Sequence, residues 1–283
     1  MDSALDQGAQ RSILITGCSS GIGHHAAHAL AARGWRVFAT CRKPEDAARL
    51  QEEGLESLAL DLTDTRGITA ALQEVLRQTE GRLDALFNNG AYAIPGATED
   101  LPTDALRAIF ETNFFGWHEL TRQVLPVMRA QRYGRIVQNS SVLGLAALPW
   151  RGAYVASKFA LEGLSDVLRL ELAGTGIHVS LIEPGPVTSR IRENSIPHFE
   201  RWIDWQTSAR ADQYRDELLA RLYEPRGPDF FELPPEAVTR RLIHAIEARR
   251  PRPRYYVTTP TLLLGTARRL LPTRLLDMIL RKI

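Results

Sequence analysis

Cysteine is almost missing from this chain. Cys18 and Cys41 are its only two in 283 residues, which excludes a fold held by a framework of disulfides. Neither sign of charge prevails: the formal balance is +2, and no aromatic residues interleave with a basic patch of the kind that grips single strands. Nucleic acid is therefore set aside as a partner. No apolar run approaches the roughly 20 residues that a membrane-spanning helix needs. No secretory apolar core follows Met1, and Asp2 and Asp6 stand where a secretory leader would be basic. The expectation is a cytoplasmic protein with free thiols and no transmembrane segment.

What is present is an ordinary globular composition, 44% hydrophobic and 24% charged, in a chain long enough for a large core. The run Ser12 to Thr16 is short, apolar and β-branched, and a glycine-rich turn and an alanine-rich segment, Ile22 to Ala32, follow it. This reads as strand, tight turn, helix. Trp35 to Thr40, Leu55 to Leu60, Leu83 to Phe87, Arg135 to Asn139 and Ile177 to Ile182 repeat the strand signature. Helical stretches separate them, at Glu45 to Glu53, from a cap at Asp64 to a stop at Gly81, at Thr103 to Arg132 and at Ala153 to Ala173. Strands that alternate with helices pair in parallel through right-handed crossovers. The fold class is thus α/β, a doubly wound Rossmann-type parallel sheet, and no linker divides it.

We read residues 1–10 as a disordered N-terminus, 11–260 as one Rossmann-type domain and 261–283 as a basic amphipathic tail. After Ile182 the rhythm breaks. Val187 to Leu233 is rich in Arg, Pro and aromatic residues, among them Phe199, Trp202, Trp205, Phe230 and Phe231. It reads as a substrate-side lid, with core filling or an oligomer interface as the alternative use of its aromatics. A helix from Pro235 to Arg249 and a strand from Arg254 to Val257 follow it. The tail carries Arg268, Arg269, Arg274, Arg281 and Lys282 among many leucines. Such a segment can lie on a membrane surface or pack its leucines on the domain, and Pro272 would interrupt a long surface helix.

Ligands of doubly wound sheets bind beyond the carboxyl ends of the strands, and the informative residues stand there. Between the first strand and first helix lies Thr16-Gly17-Cys18-Ser19-Ser20-Gly21-Ile22-Gly23. In that place backbone N–H groups and the helix dipole hold a pyrophosphate, and Cβ atoms would block the turn and the approach of the phosphate. At the end of the second strand a carboxylate would accept the ribose hydroxyls of NAD. Thr40 stands there instead, followed by Arg42, whose guanidinium can hold a 2′-phosphate with two charge-assisted hydrogen bonds. The expected cofactor is NADP(H). Tyr154 and Lys158 are four residues apart, hence on one helix face. A phenol that exchanges protons at neutral pH needs such a cation nearby.

The glycine spacing, Asp61 in Leu60-Asp61-Leu62-Thr63, Asn88-Asn89-Gly90-Ala91 and the Tyr154/Lys158 pair together resemble the short-chain dehydrogenase/reductase family over about residues 11 to 190. Within it, the chain looks most like the branch that includes 17β-hydroxysteroid and retinol dehydrogenases and bacterial aldehyde and ketone reductases. The family usually has Asn-Asn-Ala-Gly where this chain has Asn-Asn-Gly-Ala, so two residues of that loop are exchanged. The resemblance implies that Asp61 contacts adenine, that Asn88 and Asn89 brace the sheet, and that Lys158 binds the nicotinamide ribose. It further implies that Ser141, thirteen residues before Tyr154, hydrogen-bonds the substrate oxygen, and that Asn113 holds a water for proton relay. Pro184, Gly185, Val187 and Ser189 look like the segment over the nicotinamide carboxamide, with Thr188 as the rival hydroxyl to Ser189. The helices carrying Asn113 and Tyr154 would form the interface of a homodimer or homotetramer.

The function so implied is hydride transfer between NADP(H) and an apolar aldehyde or ketone and its alcohol, with Tyr154 as the acid/base. A non-catalytic NADP-binding sensor or interaction module, and a nucleotide-sugar enzyme or dehydratase of the same fold, are the competing classes. The intact Asn113, Ser141, Tyr154 and Lys158 oppose the first, and the glycine spacing opposes the second. His24 and His28 share a helix face as metal ligands do, but no third ligand is near them in sequence, and no metal is expected. Cys18 and Cys41 lack a base partner and read as small buried side chains.

Overall fold

A strand turns successive side chains to opposite faces, and β1 (Ser12–Ile15) shows the consequence. Ile13 and Ile15 enter one apolar layer and Leu14 the other, and all three are fully buried. A strand buried on both faces needs helices on both sides. The computed structural model, which describes residues 10–224, 227 and 229–281, supplies them. Residues 1–9 of the expected disordered N-terminus and Lys282 of the tail lie outside the described residues.

The first half runs α1 (Gly21–Ala32), β2 (Arg36–Cys41), α2 (Pro44–Glu52), β3 (Glu56–Ala59), α3 (Thr65–Gln78) and β4 (Ala85–Asn88). Next, α4 (Thr103–Phe110) passes through a π-helical turn, Glu111–Phe115, into α5 (Gly116–Ala130). β5 (Gly134–Asn139), α6 (Gly152–Glu171) and β6 (Ile177–Glu183) follow. With β7 (Arg254–Tyr256) the strands form one parallel sheet in the order β3-β2-β1-β4-β5-β6-β7. The direction of winding reverses between β1 and β4, which opens a crevice at their carboxyl ends. The Asp64 side chain caps α3 as read, accepting from Arg66 N, and Pro44 opens α2 one residue before the expected start.

The segment read as a lid leaves and rejoins the sheet at one point, because Val187 bridges Leu233 and Thr188 N donates to Leu233 O at 3.0 Å. It holds α7 (Ile191–Trp202), α8 (Ala211–Gln213), a π turn at Tyr214–Leu219 and α9 (Ala220–Tyr223). Its apolar residues divide: Phe199 and Ile203 are buried with Tyr214, Leu218, Ile94 and Ile109, whereas Ile191 and Phe231 are exposed and Phe230 is 93% exposed. The segment thus fills its own core against α4 and keeps an apolar fringe outside it.

α10 (Glu236–Glu247) covers the α1 face of the sheet with Val238, Leu242 and Ile246. The tail forms α11 (Thr259–Leu270) and α12 (Thr273–Leu280), broken at Pro272 as its ring requires. Leu264, Leu276 and Leu280 pack on Val142 and Ala146, while Leu262, Leu263, Leu270 and Met278 stay exposed. Among the described residues no helix is long and apolar enough to cross a membrane.

Candidate active site

The turn after β1 is built for close backbone approach. Gly17 has φ +72° and Gly21 φ +60°, a region that costs L residues with a Cβ. A Cβ on Gly23 would meet Gly17 O at 2.3 Å, and one on Gly17 would meet Gly90 Cα at 2.4 Å. Ser20 caps α1 without using its side chain, so the N–H groups at the start of that helix keep their hydrogens for an anion. Ser19 O accepts from Arg49 Nη2 at 2.7 Å, which holds the turn from outside. These features fit a dinucleotide pyrophosphate.

Asn89 binds this turn to the sheet. Its Nδ2 donates to Thr16 O and Gly17 O at 2.9 and 3.1 Å, its N donates to Thr16 Oγ1 at 2.8 Å, and its Oδ1 accepts from Asn139 Nδ2 at 2.8 Å. Asn88 Nδ2 reaches Thr121 Oγ1 and Gln138 Oε1, both at 3.0 Å. The exchanged pair Gly90-Ala91 therefore sits in a fully braced loop, and Gly90 lies back to back with Gly17. Asp61 accepts from Thr63 N and Thr63 Oγ1 at 2.8 Å, a local turn that fixes its carboxylate at the end of the third strand.

Near the end of β2, the Thr40 hydroxyl is spent on Ile15 O at 3.1 Å. Arg42 is exposed; burial raises the Tyr92 phenol against a smaller opposing effect of Arg201 and Arg42, and burial, then the charge of Arg42, lowers His198. Lys43 lies 3.8 Å from Glu45, whereas Arg42 has no carboxylate partner among the described residues. Cys18 is buried and its thiol pushed far up by burial. Burial with Asp46 nearby pushes Cys41 up to about 11. Both thiols are therefore protonated and inert at neutral pH.

Tyr154 and Lys158 share the inner face of α6, both buried. Burial raises the Tyr154 phenol well above its ordinary value, against a smaller lowering by the hydrogen bond from Ser141. Ser141 Oγ accepts from Leu143 N at 3.1 Å, so its own hydrogen remains to be donated. Lys158 Nζ donates to Asn139 O at 2.8 Å and lies 4.2 Å from the Trp117 ring centroid. Burial lowers Lys158 to about 7, offset in part by the Glu162 carboxylate. The expected help of an ammonium to the phenol is thus opposed by desolvation of both groups. Ser140 is turned away from the substrate side, toward Glu162.

Asn113 lies in the π turn and not in a regular helix, which accounts for an amide that α-helix interiors disfavour. Its Oδ1 accepts from Tyr92 N at 3.1 Å and its Nδ2 donates to Tyr92 O at 2.9 Å and to Ser157 Oγ at 3.4 Å. One lone pair of Oδ1 is left for a water.

Over the crevice, Pro184 O accepts from Val142 N at 2.7 Å, and a Cβ on Gly185 would meet Thr258 Oγ1 at 2.1 Å. The Thr188 hydroxyl donates to Glu232 at 2.6 Å. Ser189 instead faces Gly21, 3.3 Å from where a Cβ there would stand. Val187 packs on the apolar layer beneath.

Three contributors escaped sequence reading. Trp117 donates to Gly90 O at 2.8 Å while its ring meets Lys158, Tyr92 stacks on His198 of the lid at 4.0 Å, and Glu162 shares Arg254 with Asp166 and Glu183. Glu162 alone left a signal, as a carboxylate one turn beyond Lys158 on a buried face.

A doubly wound sheet with a glycine-lined phosphate turn at the winding reversal, and a Ser–Tyr–Lys group beside it, is the arrangement of a nucleotide-dependent oxidoreductase. The chain belongs to the short chain dehydrogenase family, whose model matches residues 11–198. It is 40% identical to the uncharacterized oxidoreductase YbbO of Escherichia coli over 96% of this chain and 94% of that one. Human 17-beta-hydroxysteroid dehydrogenase type 1 is 35% identical over 87% of this chain and 77% of its own. An NADPH-dependent 3-dehydrocapnine reductase of Ornithobacterium rhinotracheale is 33% identical over 96% of both chains.

Proposed function

We propose that this oxidoreductase reduces apolar aldehydes and ketones with NADPH, reversibly toward the alcohols, with Tyr154 as acid and base. The observation that carries this reading is the buried Tyr154 hydroxyl beside Ser141, one turn from Lys158, at the edge of the apolar cluster of Ile94, Phe199 and Tyr214. When bound, NADP(H) supplies the hydride and, oxidised, a positive ring that favours the phenolate. Ser141 donates its remaining hydrogen to the carbonyl oxygen, and Tyr154 delivers a proton to the same atom as the carbon is reduced. Lys158, held by Asn139 O and Trp117, faces the nicotinamide ribose. Asn113 keeps the Tyr92 loop in place and offers its spare lone pair to a relay water.

Gly17 to Gly23 hold the pyrophosphate, Asp61 the adenine, and Ser189 the carboxamide, since the Thr188 hydroxyl is engaged by Glu232. Arg42 takes the 2′-phosphate. The similarity to an NADPH-dependent reductase over 96% of the chain supports the choice of cofactor. Residues 187–233 act as the lid, and His198 stacked on Tyr92 is its closed contact.

The test is oxidation of NADPH and NADH at 340 nm with a series of straight-chain and cyclic carbonyls. Efficiency is expected to rise with chain length or ring count and to favour NADPH, and Tyr154→Phe should abolish turnover while NADPH still binds. Arg42→Ala should weaken NADPH about tenfold to a hundredfold and leave NADH unchanged, as loss of one charge-assisted phosphate contact implies. A preference for small polar carbonyls, or a Tyr154→Phe enzyme of near-normal rate, would overturn the reading. Tight NADPH binding with no turnover on any carbonyl would favour the sensor.

A further inference from the structure

On the outer side of the nucleotide fold, α1 turns His24 and His28 to one face, and the chain brings Glu53, at the end of α2, against them. Glu53 Oε2 stands 2.7 Å from His24 Nε2 and 2.8 Å from His28 Nε2. The three ligand atoms lie within 4.8 Å of one another. Among the described residues this is the one group of three potential metal ligands gathered so closely. Fold contact has therefore added the carboxylate that proximity in sequence did not show.

Two neutral imidazoles can share one carboxylate oxygen only if each presents an Nε2–H to it. A divalent cation replaces both hydrogens and draws on the same three lone pairs. Ligands of tetrahedral zinc at about 2.0–2.1 Å from the ion stand about 3.3 Å from one another. The two nitrogen–oxygen spacings therefore need about half an ångström of expansion, and the two Nε2 atoms, which lie within 4.8 Å of each other, must settle at about that same 3.3 Å. All three side chains are partly exposed and can swing that far, and solvent can fill a fourth position. The other oxygen of Glu53 stays with Arg49, at 3.4 Å from Nη1.

We propose that His24 Nε2, His28 Nε2 and Glu53 Oε2 form a binding site for one zinc(II) ion, completed by water, that clips the end of α2 to α1. The ion touches none of the reacting groups. It braces the phosphate turn from outside, because Arg49 joins Glu53 to Ser19 O. The proposal holds whatever carbonyl the enzyme reduces.

The experiment is titration of the whole, chelator-treated protein with zinc chloride in a calorimeter at pH 7.5, with melting followed in parallel. One ion per chain with a dissociation constant in the micromolar range or below, and a Tm raised by several degrees at saturation, is expected. His24→Ala, His28→Ala and Glu53→Gln should each weaken zinc by tenfold or more while melting like the parent in chelator, and His118→Ala, an exposed position on α5, should change nothing. Cobalt(II) in place of zinc should give the visible absorption of a tetrahedral nitrogen and oxygen site, lost in the same three variants. Binding that needs millimolar zinc, or uptake unchanged by Glu53→Gln and the double histidine variant, would overturn the proposal.

Discussion

At the scale of single residues, Lys158 carries a conflict between its charge and its burial. Its charged form is desolvated, so the folded chain releases the proton near pH 7, while the unfolded chain holds it up to the ordinary lysine value of 10.5. The unfolded state thus binds the extra proton between those values, and stability contributed at this position rises with pH across about 7 to 10.5. Below pH 7 the penalty is fully present. Lys158→Met removes it, so the Tm of the variant relative to the parent should be more favourable at pH 6 than at pH 9.5, both without nucleotide. An equal difference at the two pH values would show that the lysine stays charged in the fold. The pairing of Tyr154 and Lys158 on one helix face was legible from their spacing, and Ser141 was placed by family resemblance, but their desolvation was not legible, since burial is decided by Trp117, Asn139 and α6 packing from afar.

At the scale of elements, β7 and α6 are joined by charge. Arg254 on β7 lies 2.9 Å from both Glu162 and Asp166 of α6 and 3.3 Å from Glu183 of β6. Glu183 is fully buried, and burial together with the charge of Glu162 pushes it up to about 9. With Glu183 holding its proton at pH 8, removal of Arg254 leaves the buried Glu162 carboxylate uncompensated beside Asp166, and breaking such a buried pair costs about 3–5 kcal/mol. Arg254→Met should therefore lower the urea midpoint by an amount of that order at pH 8, and a loss under about 1 kcal/mol would show that the carboxylates take up protons without hindrance. Glu162 stands one turn along α6 from Lys158, so the network ties the edge strand to that helix. Sequence periodicity placed α6 and β7 to within a residue or two, yet read α4 and α5 as one helix. It could not show the π turn at Glu111–Phe115, because a one-residue slip in hydrogen bonding leaves the apolar spacing almost unchanged.

At the scale of the whole molecule, α5 and α6 pack into the same apolar layer on one face of the sheet, and Phe115 in the π turn before α5 and Val167 and Leu170 on α6 are exposed, Leu170 at 68%. Exposed large apolar groups are what an association surface requires. The protein is expected to run as a dimer or tetramer in size-exclusion chromatography with light scattering, and the double variant Val167→Glu, Leu170→Glu should run as a monomer with its Tm lowered. A parent that is monomeric at micromolar concentration would exclude the interface.

The sequence by itself determined the doubly wound sheet and the position of its ligand edge, because alternation of buried strands with amphipathic helices admits few other packings. It also determined the phosphate turn, where only glycines at Gly17 and Gly23 leave room for backbone to meet backbone. Tertiary structure alone decided which hydroxyl faces the cleft, by engaging Thr188 with Glu232 and leaving Ser189 over Gly21. It alone divided the aromatics of residues 187–233 between core and surface, and it alone carried Glu53 to His24 and His28. The reason is common to all three. Local propensity and periodicity depend on neighbours within a few positions, whereas a hydroxyl's partner, a ring's burial and a ligand set depend on residues tens of positions apart, whose meeting is settled only when the layers pack.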